Sequence, residues 1–223
     1  MIYEILEKYA HIWSYDKDKQ INNDFFTELL YRSWKVTPSK NNFMPYKIHV
    51  LNPQHINYKN KVYDICVRNQ TEVNKKNTKN AQSTVNPNFR HLLNCNFMLI
   101  FTVRPENQPN RFQSREISQG AYYEACYSND IDSILDLISL EVGLFASTLT
   151  SLCLENGMHT SYIKCFSKKI EIWKDLEFIK TRPILIMTAG YADVKRQDVA
   201  KKEGWSKLDY KPSFDRIVNF VTN

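Results

Sequence analysis

Residues 130–156 run for about seven helical turns with hardly any polar face. Ile131, Ile134, Leu135, Ile138, Val142, Leu144, Phe145, Leu149, Leu152 and Cys153 cover most of the circumference, with the small residues Ser139, Gly143, Ala146, Ser147 and Ser151 between them. A helix that is apolar nearly all round must be covered on all sides, inside a core or between subunits. It therefore has to be the centre of whatever the chain folds into. Gly157 follows as its C-terminal cap. No uninterrupted run of about 18 apolar residues occurs, so nothing is expected to span a membrane.

The rest of the chain supplies strands and flanking helices. Residues 1–13 read as an amphipathic helix, with Ile2, Ile5, Leu6, Tyr9 and Trp13 on one face. Residues 14–20 are a polar connection. A second helix starts at the cap cluster Asn22-Asn23-Asp24 and runs through Phe26, Leu29 and Ser33 to about Lys35, because Pro38 forbids its continuation. Residues 46–51 alternate as a strand, 53–77 form a surface helix and 77–88 form a mobile loop. Residues 96–103 are a buried strand, and the Pro/Asn/Gln/Arg-rich segment 104–118 is a long loop. A short strand (158–166), a helix (169–179) and a strong strand (183–190) precede a basic, extended tail, 191–223. Helices first, strands interspersed and one central buried helix predict an α+β sandwich, a single domain over residues 1–223 without internal repeats.

Composition removes several function classes. The chain holds 5 glycines in 223 residues, where average usage near 7% would give about 16. No GxGxxG or GxxxxGK[ST] occurs, which excludes Rossmann and P-loop nucleotide sites. The five cysteines lack CxxC spacing, so a reducing cytoplasm is the expected location. The five histidines form neither HxH nor HExxH, and no protein-ligated metal is expected. Residues 1–8 mix charge with apolar positions, unlike a secretory signal. The net charge is +6, but basic residues interleave with acidic ones and the aromatics are dispersed, so no nucleic-acid partner is expected.

Three segments carry candidate chemistry. In residues 38–46 (PSKNNFMPY) two prolines fix the backbone, and Ser and Asn side chains both donate and accept, which suits a planar heteroaromatic ligand; a plain helix-to-strand turn uses the same residues. In residues 157–161 (GMHTS) small hydroxyl residues follow the long helix, as they also do in an ordinary cap and strand start. In residues 210–218 Lys211 and Arg216 can meet a phosphate, or form part of a solvated basic tail.

Taken in this order, the three segments resemble the nitroreductase superfamily of FMN-dependent oxidoreductases over nearly the whole chain. Pro38, Ser39, Asn42, Pro45 and Tyr46 match its PSxxNxQPW loop, with Met44 in place of the usual Gln. Residues 152–158 match the end of its long apolar helix, residues 186–191 its "GY" strand, and Lys211-Pro212 its tail. The family's RxSxR phosphate motif falls on residues 11–17, where His11, Ser14 and Lys17 stand without an arginine pair.

The resemblance implies a three-layer sandwich with a central mixed or antiparallel sheet flanked by helices, and a homodimer with the long helix at the subunit interface. It implies two FMN sites built by both chains. His11, Ser14, Lys17 and Lys211 would meet the phosphate; Pro38, Ser39 and Asn42 would contact the ring or ribityl chain; Thr160 and Ser161 would lie on the ring's other side. NAD(P)H would be the reductant and an electron-poor small molecule, such as a nitroaromatic or quinone, the acceptor, in ping-pong order. Flavin chemistry of this kind needs no protein acid or base. The alternative, given the altered phosphate motif, is a flavin-fold binding or scaffold module without redox turnover.

Overall fold

The computed structural model describes residues 12, 14–39, 42–77, 91–105 and 132–193. The elements expected within 1–11, 78–90, 106–131 and 194–223, and with them His11 and Lys211, lie outside the described residues.

Four strands form one sheet: β1 (Tyr46–Leu51), β2 (Phe97–Val103), β3 (His159–Ile163) and β4 (Pro183–Gly190). Their spatial order is β1-β2-β4-β3, and every pairing is antiparallel. The expected α+β sandwich is present, with the antiparallel rather than the mixed form of sheet among the described residues. Every residue of β2 and β4 is buried, because these two central strands are covered on both faces.

Two cores make the layers. On one face α1 (Asn23–Val36) and α3 (Asp132–Glu155) pack through Phe26, Leu29, Ile138, Val142, Phe145 and Leu149 onto the odd residues of β2, Phe97 to Val103. Phe26 stacks on Phe97 with ring centroids 4.0 Å apart. On the other face α2 (Ile56–Asn77) supplies Val62, Ile65 and Cys66, which meet Met98, Ile100, Ile163, Ile186 and Trp173. Each fully buried side chain of this size contributes about 1.5–3 kcal/mol relative to exposure.

Local signals set the element ends. Asn22 caps α1 by accepting from the N–H groups of Asp24 and Phe25 at 2.7 and 3.2 Å. The helix stops at Val36, where the pre-proline residue Thr37 turns extended. Gly157 closes α3 at φ 70°, and the N–H of Met158 returns to the carbonyl of Cys153.

Two expectations are corrected. Residues 169–179 are not an α-helix: a 3₁₀ turn at Ile170–Trp173 is followed by further turns, with N–H bonds from Leu176 to Trp173 and from Ile179 to Leu176. The buried residues Trp173, Leu176 and Ile179 recur every three positions, a spacing that three-residue turns keep on one side and an α-helix would rotate by about 60° per step. The expected strand 158–166 is confined to His159–Ile163.

On α3 the single chain leaves Leu140 62% exposed and Leu144 37%. The Leu135–Glu155 stretch of this helix is long and apolar enough to cross a membrane by length and composition alone. Half of that stretch is buried against the sheet and α1, which is where a core helix belongs.

Candidate functional site

The first of the segments that the family resemblance assigns to the cofactor, around Ser14, is strapped to the end of β4. Tyr15 is buried; its hydroxyl lies 2.8 Å from Thr188 Oγ1 and 3.2 Å from the Thr188 carbonyl. The N–H of Asp16 donates to Tyr191 and that of Asp193 to Ser14, at 2.9 and 3.0 Å, so residues 14–16 extend the sheet past Gly190. Gly190 permits this: a Cβ there would lie 2.8 Å from the Tyr15 ring and 2.9 Å from Asn96 Oδ1. Asn96 Nδ2 in turn donates to the Lys19 carbonyl at 2.9 Å. Lys59, buried, donates its ammonium to the carbonyls of Cys95 and Asn96, and burial pulls its pKa below the ordinary value. Ser14 is buried in this strap, whereas the Lys17 side chain is exposed and available to an anion.

The second segment, residues 38–45, turns from α1 into β1. Asn42 and Met44 both adopt left-handed backbone, at φ 57° and 42°. Asn tolerates this region; Met does so at a cost, and such outliers persist only when neighbours hold them. Here the holding groups are explicit. The Met44 N–H donates to Ser39 Oγ at 3.0 Å, the Asn42 N–H to the Ser39 carbonyl at 3.2 Å, and Arg104 Nη2 to the Phe43 carbonyl at 2.7 Å. Because the Ser39 oxygen already accepts, its proton remains for an outside acceptor. Pro38 and Asn42 are exposed. Behind the loop, burial raises the Tyr46 phenol pKa, the buried Glu141 of α3 adds to the rise, and Arg104 opposes it.

The third segment is part of β3. Thr160 and Ser161 are fully buried and point to opposite faces of the sheet. Thr160 Oγ1 lies 2.8 Å from Thr150 Oγ1 of α3, and Ser161 sits beside Thr188 on the face that holds Tyr15. The two hydroxyls are thus inside the fold of the single chain.

The sheet places Ser14, Thr160 and Ser161 together and puts Ser39 and Asn42 elsewhere. The loop enters β1 at one edge, opposite Val103, while Ser14 accepts from Asp193 beyond Gly190, at the other end of the strands. Two strand spacings across, from β1 to β4, and about ten residues along separate them by on the order of 30 Å. One small cofactor does not touch both groups within one chain.

Sequence reasoning missed a trough of about 420 Å³ beside β3, walled by Val142, Gly143, Ala146 and Thr150 of α3 and floored by Tyr162, Ile184 and Leu185. It exists because the α3 residues on this flank are small; the recurrence of Ser139, Gly143, Ala146 and Ser147 was its one signal. The Tyr162 hydroxyl bonds Thr150 and the Ala146 carbonyl, fixing the floor. Among the described residues no group of His, Cys, Asp and Glu is disposed to hold a metal ion.

No protein-family model matches the chain, and no curated protein matches it significantly. Solved structures do. A protein assigned as an NAD(P)H:FMN oxidoreductase from Staphylococcus epidermidis superposes with a TM-score of 0.67 at 17% identity, over 99% of this chain and 96% of that one. A nitroreductase family protein from Streptococcus pneumoniae gives 0.61 at 19% identity, over 99% and 100%. A protein assigned as a nitroreductase, solved in complex with FMN, from Exiguobacterium sibiricum gives 0.64 at 15% identity, over 99% and 97%.

Proposed function

We propose, from the premise that the chain has the nitroreductase fold, that it is an FMN-dependent oxidoreductase which works as a homodimer. The observation that carries this reading is the separation of the loop at Ser39 and Asn42 from the segment at Ser14. Residues of both groups serve one cofactor if two chains meet so that the loop of one reaches the β3 flank of the other. The exposed Leu140 and Leu144 of α3, and Tyr31 and Trp34 of α1, each 52% exposed, provide the apolar surface for that meeting.

The described residues fit FMN in kind. The exposed Lys17 supplies positive charge for a phosphate, and the Ser39 hydroxyl keeps a proton to donate to a ring or ribityl oxygen. Asn42 offers an amide from a backbone held in one conformation. When bound, FMN supplies the hydride or electron transfer. The chain's own contribution is to orient the ring through the 38–45 loop, to hold the phosphate near Ser14, and to admit NAD(P)H and an electron-poor acceptor in turn. The free cysteines Cys66, Cys95, Cys153 and Cys165 agree with a reducing, cytoplasmic location.

The test is direct. Protein purified or reconstituted with FMN is expected to show flavin absorbance, release the flavin on denaturation, elute as a dimer and oxidise NAD(P)H when an acceptor such as a quinone is added. Protein that takes up no FMN overturns the reading. Uptake without NAD(P)H oxidation favours a flavin-binding module without turnover.

A further inference from the structure

Residues 17–20 form an exposed turn that carries Lys17 and is braced by hydrogen bonds of its own. The Lys19 N–H donates to the Asp16 carbonyl at 3.3 Å, the Asp18 N–H to Asp16 Oδ1 at 3.1 Å, and Gln20 Nε2 to the Lys17 carbonyl at 2.7 Å. Bonds of that kind fix the shape of a turn but not its place on the body of the protein. Its place is set from below. Asn96 Nδ2 donates to the Lys19 carbonyl at 2.9 Å and lies 3.5 Å from Gln20 Oε1, so one buried amide meets both the backbone of the turn and the side chain that holds the Lys17 carbonyl. The Lys19 ammonium, 6.0 Å from the centre of the Tyr191 ring, and the buried Ile21 add to the attachment.

Asn96 is 2% exposed, and its Oδ1 accepts no hydrogen bond among the described residues; it stands over the bare backbone of Gly190, 2.9 Å from where a Cβ would lie. A buried acceptor left unpaired destabilises a fold, and alanine here would avoid that cost. The amide is therefore kept for its donor. The backbone beneath it is pinned as firmly. The ammonium of Lys59, 1% exposed, donates to the carbonyls of Cys95 at 2.8 Å and Asn96 at 3.1 Å, and bonds from a charged donor are the stronger kind. Lys59 belongs to α2 and Asn96 immediately precedes β2, so a chain of contacts runs from α2 through the start of β2 to the turn.

We propose that Asn96, clamped by Lys59, is a positioning residue that sets where Lys17 stands when this segment meets the phosphate of FMN. The phosphate task rests on the function proposed above; the anchoring of the turn does not. Asn96 acts through the turn, since its amide is engaged by the Lys19 carbonyl and Lys17 is the exposed group.

The probes are FMN and riboflavin, which carries the same ring and ribityl chain without the phosphate, each titrated into the full chain by flavin fluorescence. Asn96→Ala is expected to weaken FMN binding about three- to tenfold and riboflavin binding less than about twofold. Lys17→Gln is expected to weaken FMN by about the same factor in the wild-type chain and by less than about twofold in the Asn96→Ala chain, the non-additivity of residues that act as one unit. Gln20→Ala, at an exposed position, is expected to weaken FMN about two- to fivefold and carries the test if Asn96→Ala does not fold. A loss shared equally by FMN and riboflavin, no loss of FMN affinity, or a Lys17 effect undiminished by Asn96→Ala would overturn the inference. Amide exchange of residues 16–20 in the flavin-free chain reads the anchor directly: Asn96→Ala is expected to speed it about tenfold, and unchanged exchange rejects the anchor. A wild-type chain that takes up neither flavin, together with that faster exchange in the variant, refutes the proposed function and leaves the anchor standing.

Discussion

Gly190→Ala tests whether the segment at Ser14 is held by close approach. Gly190 ends β4 in ordinary strand backbone, so alanine meets no conformational penalty and the effect is one of space alone. The new methyl would stand 2.8 Å from Tyr15 Cδ1, 2.9 Å from Asn96 Oδ1 and 3.3 Å from the Asn96 nitrogen, about half an ångström inside ordinary contact for the first two. Neither neighbour yields easily. Tyr15 is 1% exposed with its hydroxyl bound at Thr188, and Asn96 is tied to the Lys19 carbonyl on one side and to Lys59 on the other. Overpacking of this kind costs about 1–3 kcal/mol. In a chain of 223 residues that is a fall in Tm of roughly 2–12 °C, at about 2–4 °C per kcal/mol. Calorimetry or thermal circular dichroism measures it, and an FMN titration of the same variant is expected to show weaker binding because Lys17 rides on the displaced strap. Gly143→Ala is the contrast: nothing lies within 4 Å, and replacing a mid-helix glycine adds about 0.5–1 kcal/mol of stability. A Gly190→Ala protein with unchanged Tm and unchanged FMN affinity would refute the close-approach argument.

Removing the guanidinium in Arg104→Met deletes the bond to the Phe43 carbonyl and is expected to lower FMN affinity about tenfold through loss of the left-handed loop, with Arg104→Lys restoring part of it; unchanged affinity in the Met variant would remove Arg104 from that role. Burial pushes the thiols of Cys66 and Cys153 up to about 12 and that of Cys95 up to about 11, so at pH 8 a disulfide reagent should label Cys165 in the folded protein and these three only after unfolding, as peptide mass spectrometry reads. Because all three lie above the ordinary thiol value of 9.0, the unfolded chain releases their protons first. Stability is therefore complete below pH 9 and declines as pH rises toward 11–12, and a Tm no lower at pH 10 than at pH 8 would contradict this.

Where a local rule determines the outcome, the sequence is legible to the residue. The strands at 46–51 and 183–190 occur with their predicted ends, and Asn22, Pro38 and Gly157 bound their helices, because alternation, capping and backbone restriction act over a few residues. The 169–179 segment misled because its apolar residues suit either an α-helix or successive three-residue turns, and contact with the second core selected the turns. Residues 14–20 read as a polar connection, although Tyr15 is among the most buried side chains; a single tyrosine in a polar stretch carries no periodicity. At the candidate site the loop at Ser39 was recognisable from its motif. Arg104, which holds that loop from 61 residues away in sequence, was not. Thr160 and Ser161 follow the long helix in sequence, but the direction in which each strand side chain points is set by pairing with β4.

By itself the sequence determined that a long apolar helix must be enclosed, that glycine-built nucleotide loops are excluded, and where most elements begin and end, because these depend on side-chain chemistry and on φ and ψ within a few residues. The tertiary structure decided the rest: that the loop entering β1 and the segment paired beyond β4 lie at opposite ends of the sheet, which separates Ser39 from Ser14; that the small residues of α3 open a trough; and that Lys164, Lys168 and Arg182 line its end. Those are properties of strand order and register, set by the packing of residues far apart in the chain, and no local pattern contains them.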